Sequence, residues 1–340
     1  MNLKYLTFLP CLFIFVIVAS EKNKSNVNIV TRAPIILKPG EGSAITHFKR
    51  ALIQTSSHIK LSKNNTLGAF TLIESEWSSG WSPDLHLHEN HDVSIIVLEG
   101  EFDFIVNNNS STISNGMMVY LPRKTPHTFK VENFAKVLIN YSFSNNKESI
   151  LLPSPMTNED LEIPTMVNKT ATTIDTIFID SDKNENQDSN NFEYKILKAE
   201  QGERVDLAMT REVAYFKLLA KETSGAYTLV EDYFLPKGKV RPHRHHQHDE
   251  AFYIVEGNLI ARIGDMPPFI ASPGTLIYVP RGTAHGFDAS ERVKIHMYYA
   301  PGGLLEKGAF KLREMTNEQL KDPNTMVEHA KQHDIEIIHE

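Results

Sequence analysis

The feature that most constrains the fold of this chain is an internal repeat. Four segments of the first half recur in the same order in the second half, at an offset of 157 positions that becomes 158 once one residue is gained. The matching pairs are 68–77 with 225–234, 88–101 with 245–258, 116–129 with 274–287, and 136–142 with 294–300. A chain of 340 residues with this pattern predicts two copies of one unit, each long enough to bury its own core.

The local pattern within each copy is typical of β-structure. Short apolar runs rich in β-branched and aromatic residues, such as AFYIVEG and NLIARIG at 251–264, are separated by turn residues. Two such units of about 150 residues predict an all-β fold of two tandem barrels or jelly rolls. Helices are expected only at the periphery: Thr316 is a suitable N-cap for a helix at 317–320, and a second helix is expected over 325–333.

The first twenty residues differ from the rest and predict a secretory signal peptide at 1–20. Lys4 gives the segment a positively charged N-terminal region, and an apolar run follows over Tyr5–Ala19. The small residue Ser20 then precedes a charged stretch, as at a cleavage site. The apolar run is short for a membrane span, and the alternative is an uncleaved anchor. We expect a secreted, extracellular protein, or one held in a secretory or periplasmic compartment, with no membrane attachment after cleavage.

The rest of the chain divides by composition and by the repeat. We predict an acidic, Asn-rich linker at 181–191, between an N-terminal barrel at 21–175 and a C-terminal barrel with helices at 192–340. Cys11 is the sole cysteine and lies in the signal peptide, so we expect no disulfides in the mature chain. The formal net charge of −7 argues against nucleic acid as a partner.

The second copy carries a set of residues typical of a transition-metal site. His243 and His245 are two positions apart, which puts both side chains on one face of a strand. Glu250 begins the next strand, and His285 returns on a later strand against the pair. Three imidazoles and one carboxylate suit a divalent ion of Fe, Mn, Ni, Co, Cu or Zn.

The first copy keeps only part of this set. His86, His88 and His127 occupy the three imidazole positions, but Val93 stands where the second copy has Glu250. Three histidines can hold a metal without a carboxylate, so a second, weaker metal site is the open alternative to a purely structural barrel.

Other polar residues near the two sets are weaker candidates. His246 and His248 are interpreted as strand-exterior or turn residues, and only secondarily as contacts to the ligands or to the substrate. Asp92 is expected to point to the opposite face of its strand from Val93. His91 is a candidate fourth ligand in the first copy, although it pairs in the repeat with His248, which is not a ligand position.

These segments resemble the paired motifs of the cupin superfamily. In the second copy the match runs through His-x-His, four residues, Glu, six residues and Gly, and then through Gly, five residues and Pro-x-Gly-x-x-His. The matching residues are His243, His245, Glu250, Gly257, Gly274, Pro280, Gly282 and His285. The spacing from Gly238 to His243 is one residue short of the superfamily pattern, and Ala289 stands where an Asn is usual. The resemblance covers roughly 65–145 and 222–302 and implies two tandem cupin barrels, each a double-stranded β-helix.

The wider sequence is similar to that of the quercetin 2,3-dioxygenase-like bicupins. This similarity implies a metal-dependent dioxygenase that acts with O₂ on a small hydroxylated aromatic (flavonol-like) or enolic substrate. It also implies that Glu250 is both metal ligand and catalytic base. Phe252 and Ile254 share its strand face and are candidates for an apolar wall of the pocket, although core packing is the more frequent role for such residues. Barrel pairs of this type often form homodimers.

Two alternatives stay open at this point. One is a different metal reaction, such as decarboxylation of a small acid or isomerisation of a sugar, for which Lys239 and Arg241 would supply positive charge. The other is a secreted, non-catalytic binding or storage protein with a structural metal. The fold alone does not choose between them, because one architecture hosts many functions.

Overall fold

The computed structural model describes residues 32–45, 56–106, 109–143, 176–179 and 194–338. The predicted signal peptide at 1–20 and the predicted linker at 181–191 lie outside these residues. The described residues form 23 strands and three helices, so the predicted all-β class is confirmed. Among these helices, none combines the length and the apolar character needed to cross a membrane.

The strands of the first half are β1 (Ile35–Leu37), β2 (Ser43–Ile45), β3 (Ser56–Leu61), β4 (Phe70–Ser78), β5 (His86–His88), β6 (His91–Val106), β7 (Asn109–Ser114), β8 (Met118–Leu121), β9 (His127–Lys130), β10 (Phe134–Phe143) and β11 (Thr176–Phe178).

The elements of the second half are β12 (Lys195–Leu197), β13 (Glu203–Leu207), β14 (Glu212–Leu218), β15 (Thr228–Phe234), β16 (Gly238–Arg244), β17 (Asp249–Glu256), β18 (Leu259–Ile263), β19 (Phe269–Ala271), β20 (Leu276–Val279), β21 (His285–Ala289), β22 (Val293–Ala300), α1 (Leu304–Glu314), α2 (Asn317–Lys321), α3 (Pro323–Gln332) and β23 (Glu336–Ile337).

Each half folds as a barrel of two antiparallel sheets. In the second barrel, one sheet has the order β20-β17-β22-β15-β14-β13 and the other has the order β19-β18-β21-β16-β23. In the first barrel, the long strand β6 pairs with β10 and β8 along its first part, 91–100, and with β7 and β9 along its second part, 101–106. It therefore runs through both sheets, where the second barrel uses the separate strands β17 and β18.

The two halves exchange one short strand. β1 pairs with β20 of the second half, with Ile35 opposite Tyr278, and β12 pairs with β8 of the first half, with Lys195 opposite Tyr120. The range 21–175 therefore contains a strand that completes a sheet of the other barrel, and 192–340 contains another. This exchange was not part of the sequence prediction.

Three apolar clusters account for the packing. One fills the first barrel, where the Trp77 ring stacks on Phe129 at 4.4 Å between centroids, and one fills the second barrel. The third joins the outer faces of the two halves and contains the buried rings of Tyr227 and Tyr298. Tyr253 adds a hydrogen bond of 2.5 Å across this boundary to Glu74. The two barrels thus share a core and form one compact unit.

The helices follow the last barrel strand. Thr316 caps α2 as predicted: its side chain accepts from Gln319 N, and the Gln319 side chain accepts from Thr316 N. The second predicted helix, over 325–333, corresponds to α3. α1 was not predicted, because its N-cap is Gly303 without a side-chain cap and Gly308 interrupts its interior.

Candidate metal centre

Four side chains of the second barrel converge from neighbouring strands. His243 lies on β16 directly opposite His285, the first residue of β21. His245 lies one residue beyond the end of β16, and Glu250 is the second residue of β17. The structure therefore brings together the four residues that the sequence predicts as ligands.

The distances within this group are short. Nitrogen atoms of the three imidazoles lie within 4.8 Å of one another. Glu250 Oε1 lies 3.2 Å from His245 Nε2, and Glu250 Oε2 lies 2.6 Å from His285 Nε2. All four side chains are buried, and the most exposed residue, His243, is only 8 % exposed. Atoms bound to one transition metal at about 2.0–2.2 Å would lie at comparable separations.

The backbone fixes which nitrogen of each imidazole faces the centre. His243 Nδ1 lies 2.9 Å from the Arg241 carbonyl oxygen, and His285 Nδ1 lies 3.2 Å from that of Thr283. His245 Nδ1 lies 2.6 Å from the carbonyl oxygen of Asp334. A carbonyl oxygen can only accept, so each Nδ1 carries the proton and each Nε2 keeps a lone pair. This is the arrangement that orients metal-ligating histidines.

The lone pairs at this centre call for a positive charge between them. His285 Nε2 lies 2.6 Å from Glu250 Oε2, and among the described residues this oxygen receives no hydrogen bond. An imidazole nitrogen and a carboxylate oxygen at such a distance repel unless a proton or a metal ion lies between them. The donor set of three imidazoles and a carboxylate fits a divalent transition metal in that place.

The protonation of the centre also suits a metal. Burial and the neighbouring imidazoles of His285 and His245 lower the pKa of His243 to about 3, so this ring is neutral at physiological pH. Burial alone would raise the pKa of Glu250, but the imidazoles of His245 and His285 hold it well below its usual range. The centre thus offers a neutral nitrogen donor at His243 and an ionised carboxylate at Glu250, which are the forms that bind metal.

The first barrel repeats the imidazole arrangement. The nitrogens of His86, His88 and His127 also lie within 4.8 Å of one another, and all three side chains are buried. His86 Nδ1 donates to the carbonyl oxygen of Asp84, and His127 Nδ1 donates to that of Thr125, both at 2.8 Å. Burial and the adjacent His86 lower the pKa of His127 to about 3. Burial lowers the pKa of His86 and His88 as well, so this triad is neutral, and the rings of His86 and His127 are oriented by the backbone.

The surroundings of the first triad differ in charge. A cavity of about 30 Å³ borders the triad, and Val93, Trp77, Phe129 and Tyr141 also line it. Val93 lies opposite Tyr141, just as Glu250 lies opposite Tyr299 in the second barrel. A metal held here would have three neutral ligands and no carboxylate, because Val93 contributes no charge.

The neighbours of Val93 do not replace the missing ligand. Asp92 forms an ion pair of 3.0 Å with Arg123, with both carboxylate oxygens engaged by that residue. The His91 ring stacks on His88 at 4.7 Å between centroids. The equivalent His248 ring lies 4.1 Å from that of His245, so this contact belongs to both barrels.

Comparison with known proteins identifies the two units. A family model described as "Cupin domain" matches residues 74–138 and again 232–299, which are the segments that carry the two triads. The chain is a bicupin. Over 297 residues it is 20 % identical to quercetin 2,3-dioxygenase from Bacillus subtilis (strain 168), an alignment that covers 82 % of the bicupin and 84 % of that relative.

Solved structures agree with the fold. The bicupin superimposes on the glyoxylate-induced protein of Pseudomonas aeruginosa with a TM-score of 0.55 at 10 % identity, covering 81 % of this chain and 90 % of the other. It matches procruciferin, the 11S globulin of Brassica napus, with a TM-score of 0.52 at 10 % identity, covering 79 % and 84 %. At such identities these likenesses establish the architecture alone.

Of two residues beside the centre, the sequence reasoning gave His248 only a secondary contact role and did not single out Asp334. His248 lies in the turn between β16 and β17, but it is buried rather than exterior, with Nδ1 3.2 Å from Asp334 and Nε2 3.8 Å from Glu250. Burial lowers its pKa, but Asp334 and Glu250 together raise it to about 9. His246, by contrast, is exposed, and its Nε2 lies 2.6 Å from Glu336 Oε2. The sequence signal for His248 was its correspondence to His91 in the internal repeat, whereas no sequence pattern pointed to Asp334.

The second barrel of the bicupin also contains a buried carboxyl pair. Asp232 on β15 and Glu212 at the start of β14 are both buried and lie on adjacent strands. Burial and the proximity of the other carboxyl raise the pKa of Asp232 well above its usual range, and the pKa of Glu212 is raised as well. Two such groups share a proton because both cannot ionise in one apolar place.

Proposed function

We propose that this bicupin is a metal-dependent dioxygenase whose working centre is His243, His245, Glu250 and His285. The observation that carries the proposal is the convergence of Glu250 with three imidazoles that backbone carbonyls orient. The similarity to a quercetin 2,3-dioxygenase along most of both chains supports this reaction class. The substrate class that follows is a small hydroxylated aromatic, flavonol-like or enolic compound, with O₂ as co-substrate.

Glu250 would act as both ligand and base. Its carboxylate is held ionised, with one oxygen near each of two imidazoles. A substrate hydroxyl that enters the centre comes within hydrogen-bond reach of this carboxylate and can transfer its proton to it. A divalent metal bound there supplies the Lewis-acid and redox chemistry for substrate oxygen and O₂.

The aromatic side chains near the centre suit a planar substrate. Phe252 lies two residues beyond Glu250 on β17, with its ring 6.1 Å from that of His285. The Phe287 ring lies 5.9 Å from the same imidazole. Together with Tyr299, opposite Glu250, they provide an apolar wall that orients a ring and excludes water.

The test is a metal determination followed by O₂ uptake with a flavonol as the probe. We expect the metal-loaded wild type to consume O₂ and flavonol together. Glu250→Gln should lose at least about 100-fold in rate, because base and ligand charge are removed together. Glu256→Gln is the matched control, since it makes the same change at the exposed end of the same strand. Metal-loaded wild type that consumes no O₂ with flavonols or enols would overturn the proposal.

One observation favours a second candidate, a non-catalytic binding protein. The four ligand side chains are nearly inaccessible, which also suits a structural metal. In that case the metal would raise the unfolding temperature strongly while no substrate turned over. Secretion and homodimer formation stay predictions, to be checked by N-terminal sequencing of the exported protein and by its mass in solution.

A further inference from the structure

The last described strand of the chain lies on the ligand strand of the second centre. β23 pairs with β16, with Ile337 opposite His243 and Glu336 opposite Arg244. Ile338 N donates to the Pro242 carbonyl oxygen at 2.9 Å, which extends the pairing by one bond. The C-terminal segment 334–338 is therefore part of the wall that carries two predicted ligands.

Asp334, just before β23, contacts the ligand His245 and the turn that follows it. Its backbone carbonyl accepts the Nδ1 hydrogen of His245 at 2.6 Å. Its carboxylate accepts the backbone N–H of His246 at 2.9 Å and that of Gln247 at 2.7 Å, and it lies 3.2 Å from His248 Nδ1. One residue thus holds the ring of a ligand and the whole turn that leads from it to Glu250.

This anchoring is unlike that of the neighbouring ligands. His243 and His285 each donate to the carbonyl two residues earlier in the same segment, and His86 and His127 do so in the first barrel. The partner of His245 lies 89 residues later in the chain. The local backbone orients the first group of rings, whereas the ring of His245 depends on tertiary packing.

The end of α3 sets the position of Asp334. The helix ends at Gln332, Ile335 N donates back to the Ala330 carbonyl oxygen at 2.8 Å, and Asp334 has a φ of 63°. This left-handed conformation is costly for most residues but is tolerated by Asp, Asn and Gly. It turns the Asp334 carbonyl toward His245 while the carboxylate reaches the turn.

We propose that Asp334, which precedes β23, is a positioning residue of the C-terminal metal centre. The proposal rests on metal binding by that centre, which is part of the proposed function. Asp334 would fix the Nδ1–H tautomer and the rotamer of His245, so that Nε2 stays aimed at the metal. Partners of this kind typically contribute 10–100-fold in metal affinity.

The experiment measures Co²⁺ binding in a His127→Ala background, which removes one ligand of the first triad so that the second centre dominates the signal. Four changes are compared: Asp334→Gly, Asp334→Asn, truncation after His333, and the control Glu336→Gln. Gly keeps the left-handed conformation and the carbonyl but lacks the carboxylate. Asn keeps the conformation and an acceptor oxygen, and truncation removes everything. Glu336 is an exposed residue of the same segment.

We expect affinity losses of about 100-fold for the truncation and about 10-fold for Asp334→Gly, with Asp334→Asn and Glu336→Gln within about threefold of the parent. The visible absorption of bound Co²⁺ should change in Asp334→Gly and be restored in Asp334→Asn, which a role in stability alone would not produce. Should the truncated chain fail to fold by circular dichroism, the Gly and Asn variants still decide the matter.

Two results would overturn the inference. Parent-like affinity and an unchanged Co²⁺ spectrum in Asp334→Gly would show that the Asp334 side chain does not position His245 through the turn at 246–248, because Gly keeps the carbonyl. Equal losses in Asp334→Gly and Glu336→Gln would assign the effect to the segment's general packing. A parent protein that bound no Co²⁺ would overturn the proposed function itself, which is distinguishable because it appears before any change at Asp334.

Discussion

The two barrels orient their histidines alike but differ in charge. In each triad the first and third imidazoles donate Nδ1–H to the carbonyl two residues earlier, and a further histidine packs on the second. The position that faces the triad from the next strand along the chain is Val93 in one barrel and Glu250 in the other. The orientation of the first and third imidazoles is thus a property of the duplicated backbone, whereas the charge of the centre depends on one side chain.

The largest effect on activity is expected when Glu250 is replaced by the valine that the first barrel has at this position. Glu250→Val gives the second barrel the ligand types of the first. We expect O₂ consumption with a flavonol to fall by at least about 1000-fold, because the base and the ligand charge are both lost. The measurement is O₂ uptake at saturating metal, with Glu256→Val as the control. Activity within tenfold of wild type would show that the carboxylate is not the functional difference between the barrels.

The opposite change should give the first barrel a complete donor set. In Val93→Glu we expect metal affinity at the first triad to rise about 10–100-fold, since a charged ligand is added. Without metal the buried carboxyl should lower the unfolding temperature, because its ionised form is poorly solvated. Metal content under a competing chelator and thermal unfolding with and without metal test both parts. If Val93→Glu binds no metal at the first triad and its unfolding temperature does not change with metal, an added carboxylate at position 93 does not complete the site.

A third difference lies in the barrel interiors, where Asp232 of the second barrel replaces Ser75 of the first. Burial and Glu212 raise the pKa of Asp232 above its ordinary value of 3.8 in the folded state only. The contribution of protonated Asp232 to the free energy of unfolding is therefore fully present below the ordinary pKa of 3.8. It is lost as the pH rises through the raised pKa of the folded state. We expect Asp232→Asn to gain about 1–2 kcal/mol in free energy of unfolding at pH 8 and nothing at pH 4.

Urea unfolding at the two pH values measures this effect. The control is Asp206→Asn, an exposed carboxylate paired with Arg204, which should change stability by less than about 0.5 kcal/mol. A variant that was equally destabilised at both pH values would show that the pair is needed as a hydrogen-bonded unit.

The smallest effect concerns the turn before the third histidine of each triad. Lys124 adopts a φ of 65° where the second barrel has Gly282 with a φ of 85°. Lys124→Gly relieves the left-handed conformation and loses an exposed ion pair to Glu89, which contributes little. We expect a net gain of about 0.5 kcal/mol in free energy of unfolding, measured by urea denaturation. A loss of stability would indicate that the Lys124 side chain contributes more than its backbone costs.

Sequence reasoning was most successful where a contact depends on strand periodicity. The repeat gave the register of the two halves, and the spacing of His243 and His245 placed both near one strand face. The same register showed that Val93 corresponds to Glu250. The helix at Thr316 was predictable because its capping residues are adjacent in the chain.

The features that were missed all depend on distant contacts. α1 is stabilised by packing, with Phe310 5.0 Å from the Phe216 ring, rather than by caps or propensity. The exchange of β1 and β12 between the barrels brings together segments that no local pattern relates. The same is true of Asp334, whose carbonyl meets His245 only when the C-terminal segment is folded onto β16.

The sequence by itself therefore determined the duplication, the all-β class, the residues of both triads and the carboxylate that separates them. These features depend on the two-residue period of a strand and on turns of a few residues, and both are encoded by residues close together in the sequence. Tertiary structure alone decided which strand completes which barrel, that His248 is buried, and what holds His245. Those outcomes depend on how surfaces far apart in the chain bury one another, and a pairing at such separation leaves no periodic trace in either segment.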